Sequence, residues 1–499
     1  MIARRRPALL APMLLASCLC GCALGPDYVR PAVPTSAAYK EAPSAGGALW
    51  LPAAPADALD RGDWWRLFDD PVLSQLATEV DAANQSIAGA VASYRQAQAL
   101  VREARAAYFP ALSLSASARR SGSRGGGNGN GTAASGFAAS GSSAGTAYSL
   151  ALDGDWAPDF WGRVGGAVAS ARASEQASAA DLAAARLSAQ GAMAIDYFAL
   201  READFEADLL TRTIEGYQRA LQITQNRYAV GVVAKTDVLQ AETQLATTRA
   251  SLTTVRANRE RFEHAIAVLT GKAPGDFSIA VQPWNAVVPG LPLGVPSALL
   301  QRRPDIAAAE RQVAAANAQI GVERAGYFPN LTLAASLGNS SSHLGDLFKL
   351  SNALWSVGAS VAQTVFDAGA TAARVSAAEA ARDVAVARYR ETVLTAFQGV
   401  EDQLTNARAQ AEQAELLKQA SDAADLTEQQ ILNRYRAGQL GYTDVVTAQA
   451  SALSARRALV QVAVNRQVTA ITLIEALGGG WNTTAPVETE SSVRPAPAR

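Results

Sequence analysis

The sequence predicts an α+β membrane protein built from two structural repeats, each a pair of short amphipathic strands set among long helices. Three observations carry that prediction. RYAVGVVAKTDVLQAETQL from Arg227 and RYRAGQLGYTDVVTAQASAL from Arg434 share Arg, Tyr, Gly, Thr, Asp, Val and a following Ala at a single offset of 207 residues. Tyr108-Phe109-Pro110 and Tyr327-Phe328-Pro329 each close a helical pattern and open an alternating one, because proline disfavours helix in the residue before it and is accepted where a strand begins. From about Phe160 to Arg227 and from Thr371 to Arg434 run helical stretches without proline, each long enough to reach roughly 100 Å at the helical rise.

Composition agrees. The 499 residues are 6% aromatic, with a formal charge of −1 and no basic block. Such a chain favours long, close-packed helices and gives no sign of nucleic-acid binding.

The first 21 residues read as a lipoprotein signal peptide: Arg4, Arg5 and Arg6, then an apolar run too short to span a membrane as a helix. Leu19-Cys20-Gly21-Cys22 looks like a bacterial lipobox that leaves Cys22 as the acylated N-terminus. Leu15-Ala16-Ser17-Cys18 also fits, and simple signal cleavage is the bland alternative. We prefer Cys22. The mature chain would then hold no other cysteine and would be more negative by three arginines.

Residues 22–62, rich in Pro, Ala and Ser, read as an extended arm. Repeat 1 is assigned to 63–283, a linker to 284–296, repeat 2 to 297–481 and a disordered tail to 482–499. Helical patterns run from Asp70-Pro71 to Tyr108 and from Arg303-Pro304-Asp305 to Tyr327. Strands are expected at about 111–118, 148–156, 330–337 and 354–365, where Leu112, Leu114 and Ala116 alternate with Ser113, Ser115 and Ser117, and Trp355, Val357, Ala359 and Val361 with Ser356, Gly358 and Ser360. Residues 119–147 are low-complexity, and the Gly-x-Ser-x-Gly at Gly141–Gly145 lacks the strand and helix that a nucleophile elbow needs.

Beyond Gly231 and Gly438 the return helices carry heptads: Val238, Leu245, Leu252, Arg259 and Ile266 in one copy, Val445, Ala452, Leu459, Arg466 and Leu473 in the other. Steps of three and four mark a coiled-coil seam.

Four strands, apolar on one side and small or polar on the other, match membrane-barrel strands but cannot close alone, and an open edge cannot face lipid. Eight strands from two chains leave a filled interior, whereas twelve from three leave room for a pore. The predicted fold is therefore a trimeric 12-stranded transmembrane β-barrel, four strands per chain, continued by a long periplasmic α-helical coiled-coil barrel. Tyr108, Phe109, Trp156, Phe160, Trp161, Tyr327 and Phe328 cluster where strands meet helices, as an interfacial belt would.

These residues resemble the outer-membrane factors, the TolC-like channels, and above all their lipoprotein branch, the NodT-type channels of tripartite RND efflux systems. The resemblance rests on Cys22-Ala23-Leu24-Gly25-Pro26-Asp27-Tyr28 with Arg30-Pro31, on Arg303-Pro304-Asp305-Ile306 with Ala309-Glu310 and Ala315-Ala316-Asn317-Ala318, and on Asp159-Phe160-Trp161-Gly162-Arg163 and Phe366-Asp367-Ala368-Gly369. It covers about 23–481. It implies a homotrimer in the bacterial outer membrane, anchored by a diacylglycerol and an acyl chain on Cys22, with its helices in the periplasm. It implies as partners a periplasmic membrane-fusion adaptor, an inner-membrane RND-type transporter and outer-membrane lipid, with no further cofactor and no nucleic acid.

The resemblance also places the two Arg-Tyr-x-x-Gly turns at a periplasmic gate. There Asp444 matches a carboxylate of the narrowest ring, Tyr435 a tyrosine tying one hairpin to its neighbour, and Thr236 and Asp237 that tyrosine's partners. Leu440 and Thr447 depart from the family pattern, where an arginine and a second acid stand, so the latch must differ here. The alternative is that Asp237 and Asp444 simply cap the return helices.

The expected function is a passive exit duct for small toxic molecules, with no catalysis. Gly271-Lys272 lacks the glycine-rich lead of a P-loop, and His264 and His343, the two histidines, offer no metal site. Two alternatives stand: a duct for type I protein secretion, and a periplasmic coiled-coil adaptor lipoprotein.

Overall fold

A computed structural model describes residues 24–33, 40, 62–121, 145–284, 286–290 and 302–479. Cys18, Cys22, most of the Gly-x-Ser-x-Gly stretch and the tail from 480 lie outside the described residues. In order the elements are α1 (Pro71–Ala83), α2 (Gln85–Ala106), β1 (Ala111–Ser121), β2 (Gly145–Trp156), α3 (Arg163–Ala229), α4 (Lys235–Leu269), α5 (Pro304–Arg324), β3 (Asn330–Ser341), β4 (Ala353–Ala362), α6 (Ala370–Arg436) and α7 (Tyr442–Ala476). The chain divides into two units. One holds the strands with residues 96–175 and 311–386; the other holds the rest of the helices with residues 31–95, 176–310 and 387–479.

In the first unit the strands form one antiparallel sheet in the order β1-β2-β3-β4, leaving β1 and β4 as edges. The register sorts side chains by chemistry. Leu114, Leu152, Leu337 and Trp355 stand in one row across the sheet, and Ser113, Asp153, Ser336 and Ser356 in the next. Successive residues point to opposite faces, so one face is apolar and the other small and polar. On the polar face Asp153 accepts from Ser336 at 2.7 Å and from Ser115 at 3.3 Å. β3 runs four residues beyond the expected strand, its last two residues paired with Ser149 and Tyr148 of β2, and β4 stops three short, at Ala362 opposite Asn330, where β3 begins.

The aromatic residues at the strand ends hold the junctions. Trp156 Nε1 donates to the Tyr108 carbonyl (3.0 Å), Trp161 Nε1 to that of Pro329 (2.7 Å), and Trp161 stacks on Phe328 at 4.8 Å. The motif aspartates start the long helices. Asp159 accepts the Gly165 amide at 2.7 Å, and Asp367 accepts those of Gly369 and Thr371 at 3.0 and 2.7 Å. Asn317 donates to the Pro26 carbonyl at 2.8 Å, which ties the arm to α5.

In the second unit the core gathers Trp64, Trp65, Phe68, Leu73, Tyr197, Phe198, Ile266 and Ile471. The expected single helix from Pro71 to Tyr108 is two helices, broken at Asn84. Its side-chain oxygen accepts from the Ser86 and Ile87 amides (2.9 and 3.1 Å), an N-cap, while its nitrogen donates to the Leu269 carbonyl at the end of α4 (2.8 Å). Repeat 2 secures the end of α7 differently: Arg303 donates to the Ala476 carbonyl (2.9 Å) and is held by Asp305 at 2.6 Å. That is what the Arg-Pro-Asp motif does in this fold.

Most of the heptad positions are buried, among them Val238, Leu245, Ile266, Val445, Ala452 and Leu473. The charged positions are Arg466 and Arg259, and Arg259 enters a buried network. It reaches Asp204 on α3 at 2.6 Å and the Ile279 carbonyl. Asp204 also receives Arg201 at 3.1 Å, and Arg201 in turn donates to the Tyr197 hydroxyl at 3.0 Å. Tyr197 donates to Asp70, the N-cap of α1, at 2.7 Å. One buried chain of charged and polar groups thus joins α1, α3, α4 and the segment after Phe277.

Glu475 on α7 lies where a Cβ on Gly191 of α3 would stand, so any larger residue at 191 expels it. Burial raises its carboxyl to about 7 against the opposing pull of Arg303. A carboxyl raised on folding adds stability that is complete below its unfolded value and is lost as pH climbs through about 7. Glu475→Gln is therefore expected to match the wild type in denaturation at pH 4 and to exceed it at pH 8, by about 3 kcal/mol. Equal stability at both values contradicts this. Glu202, raised to about 7 mainly by burial, leaves a residual slope of the same sign.

Candidate functional site at the hairpin turns

Each long helix returns through a five-residue turn built on the repeated Arg-Tyr-x-x-Gly. Gly231 and Gly438 take φ of 75° and 76°, a left-handed conformation that favours glycine. The Gly231 amide donates to Tyr228 and that of Val232 to Arg227; Gly438 donates to Tyr435 and Gln439 to Arg434, all at 2.9 Å. This is a Schellman closure made twice, and it accounts for the spacing of the motif.

The side chains of the two copies diverge. Tyr228 is exposed, with Lys235 above its ring at 5.5 Å. Tyr435 is buried, edge-on to the buried Tyr442 with ring centres 5.4 Å apart. Around them pack Ala220, Ala241 and Val445. The Tyr435 hydroxyl lies 3.2 Å from Thr224 Oγ1, which itself donates to the Ala220 carbonyl. Tyr435 is therefore the donor. Arg227 donates to the Tyr435 carbonyl at 3.1 Å, and its guanidinium covers the ring at 4.8 Å. Thr443 donates to Gln240 at 3.2 Å, linking α7 to α4. These contacts fasten the repeat-1 hairpin to the repeat-2 hairpin within one chain.

Asp237 and Asp444 each sit at the third position of a return helix. The capping positions are Ala234 and Gly441, and neither helix has a side-chain cap bond. Capping in that sense is corrected; what remains is the favourable meeting of a carboxylate with the helix N-terminus. Asp444, Thr236 and Thr447 are exposed, while Asp237 and Leu440 are half-buried. Burial, then Tyr435, Tyr217 and Asp237 nearby, push the Tyr442 hydroxyl up to about 12, so it stays protonated. Thr224 and Arg227 were not singled out from sequence as partners of Tyr435. Arg227 had a signal, as the first residue of the repeated motif; Thr224 had none.

Among the described residues no helix is long and apolar enough to cross a membrane. A sheet that is apolar on one face and polar on the other, with both edges unpaired among the described residues, together with paired helical hairpins closed by glycine turns, defines a subunit of an outer-membrane channel. The chain belongs to the Outer membrane efflux protein family, which its residues 76–272 and 295–479 match. It is 32% identical over 440 residues to the pyoverdine export outer membrane protein OpmQ of Pseudomonas aeruginosa, covering 87% of this chain and 90% of that one. It is 27% identical over 479 residues to the cation efflux system protein CusC of Escherichia coli, covering 95% and 99%. The solved outer-membrane channel OprN superposes with a TM-score of 0.78 at 31% identity, over 92% of this chain and all of that one.

The protein is thus an efflux channel of the bacterial outer membrane. Its sheet is one chain's share of a transmembrane β-barrel, and its long helices are one chain's share of a periplasmic helical barrel. The adaptor reading is set aside, since four strands in one two-faced sheet are the channel's feature.

Proposed function

We propose that three copies of the chain close a twelve-stranded barrel and conduct small toxic molecules outward, delivered by an inner-membrane RND-type transporter and a periplasmic adaptor. The observation that carries this is the sheet: two edges unpaired among the described residues, and an apolar face that continues across every strand. In hydrocarbon an unpaired edge leaves polar backbone without partners, so β1 of one copy must meet β4 of the next.

The lipid anchor is assigned to Cys22, and the gate to Asp444, Tyr435, Asp237 and Thr236. Three copies of Asp444, exposed at the first turn of α7, would form a negative ring that favours cations. Asp237, with Thr236 beside it, is proposed to join the same latch from the neighbouring turn, while Tyr435 itself is held by Thr224 within the chain. The named cargoes of OpmQ and CusC, pyoverdine and cations, differ widely, so a shared duct sets no narrow choice. Small-molecule efflux is favoured over protein secretion by the lipoprotein start and the Arg-Pro-Asp motif.

Deleting the gene is expected to sensitise the cell to at least one class of toxic small molecule. The wild-type copy should restore resistance and take up labelled palmitate, and Cys22→Ser should lose the label. Unchanged resistance to every class contradicts efflux, and label retained by Cys22→Ser contradicts the assigned anchor.

A further inference from the structure

Next to the Tyr435 latch lies a cavity of about 450 Å³ between α3 and the α6–α7 hairpin. Its volume falls within the range of small-molecule sites. Tyr217, Tyr435, Tyr442 and Gln449 line it. Gln449 is 3% exposed, and its carboxamide oxygen is buried with no hydrogen-bond partner. An unpaired buried acceptor is destabilising, and nothing in the described chain makes use of this one.

The rim is cationic. Of the arginines there, Arg456 is taken up by Asp425 and Glu428 at 2.8 Å, and Arg212 by Asp208 at 2.8 Å. Arg219 and Arg436 are exposed and have no acidic partner among the described residues. Repeat 1 does not repeat this lining. At the positions equivalent to Tyr442 and Gln449 it carries Lys235 and Glu242, and Ala229 stands for Arg436.

We propose that this cavity binds a small amphipathic anion: a ring system with a carboxylate or sulfonate at one end and a hydroxyl or N–H donor at the other. The rings lie against the tyrosines, the acid meets Arg219 and Arg436, and the donor satisfies Gln449. A helix from a partner protein, about 10–12 Å across with its side chains, fits the pocket poorly, since the unpaired acceptor lies at its floor. The occupant touches α3 of the first hairpin and α6–α7 of the second together. It therefore favours the placement of the two hairpins that creates the pocket.

The test is titration of the full-length protein in lipid nanodiscs with 6-hydroxy-2-naphthoate, which needs no channel activity. Saturable binding at one site per chain is expected. Gln449→Leu should weaken it about tenfold while leaving 2-naphthoate, which lacks the hydroxyl, within twofold. Arg219→Gln combined with Arg436→Gln should weaken both compounds at least tenfold. No saturable binding by the wild type, or binding indifferent to these substitutions, overturns the proposal. So does an adaptor hairpin that cross-links to Thr213→Cys in the pocket wall, which leaves Gln449 intact, and is not displaced by the naphthoate.

Discussion

Tyr435→Phe combined with Asp444→Ala is expected to raise the conductance of the channel in planar bilayers and to reduce its preference for cations. The first substitution removes the hydroxyl donated to Thr224 at 3.2 Å. A hydrogen bond of this kind contributes about 1 kcal/mol. Thr224 keeps its own bond to Ala220, so the change is confined to the latch. In a trimer whose hairpins move together the loss counts three times, and about 3 kcal/mol shifts the closed-to-open ratio by roughly a hundredfold. Asp444→Ala adds the loss of three exposed charges at the aperture, which lowers cation selectivity without touching the core. Each single variant should show its own half of the effect: Tyr435→Phe the open time, Asp444→Ala the ion preference. Currents and selectivity like those of the wild type would mean that these turns do not form the gate.

Asp204→Ala is expected to be the most damaging single change in the helical unit, costing about 3–5 kcal/mol because it strands a buried charge. Arg201 is 2% exposed and Asp204 6%. Without Asp204, Arg201 keeps only the Tyr197 hydroxyl and the Ala280 carbonyl, and one of its terminal nitrogens already lacks a partner. Arg259 loses its 2.6 Å contact at the same time. The segment after Phe277 should loosen, since both arginines hold it through backbone carbonyls. Replacing the pair together, Arg201→Met with Asp204→Leu, is expected to be milder, because it leaves no fully buried charge unpaired: Arg259, partly exposed, keeps Glu263 at 3.2 Å. A denaturation series in which the double variant falls as far as Asp204→Ala would contradict this account of the network.

Periodic features were legible in the sequence. Alternation gave the strands, heptads the return helices, and the offset of 207 residues the duplication, because each follows from local geometry that every residue in the element repeats. Features set by a single side chain meeting a distant partner were hidden. The break at Asn84 interrupts a stretch of good helix formers and depends on the Leu269 carbonyl, far along the chain. Arg201 and Asp204 stand three apart on a helix, a spacing that also describes any surface ion pair. Only Arg259 and the strap after Phe277 reveal that they are buried.

At the gate, the glycines and the tyrosines were visible but not which tyrosine turns inward. That choice follows from how α3 meets α6, since Thr224 and Arg227 receive Tyr435 while, among the described residues, Tyr228 meets Lys235 alone. Trp64, Trp65 and Phe68 did carry a signal, an aromatic run at the end of a low-complexity arm, and they became part of the core.

The most direct measurement is the protein mass of the full-length lipoprotein in mild detergent, by sedimentation or native mass spectrometry. The account predicts three chains per particle, the smallest number whose four-stranded sheets enclose an open pore. A particle of one chain, or of two, would contradict it.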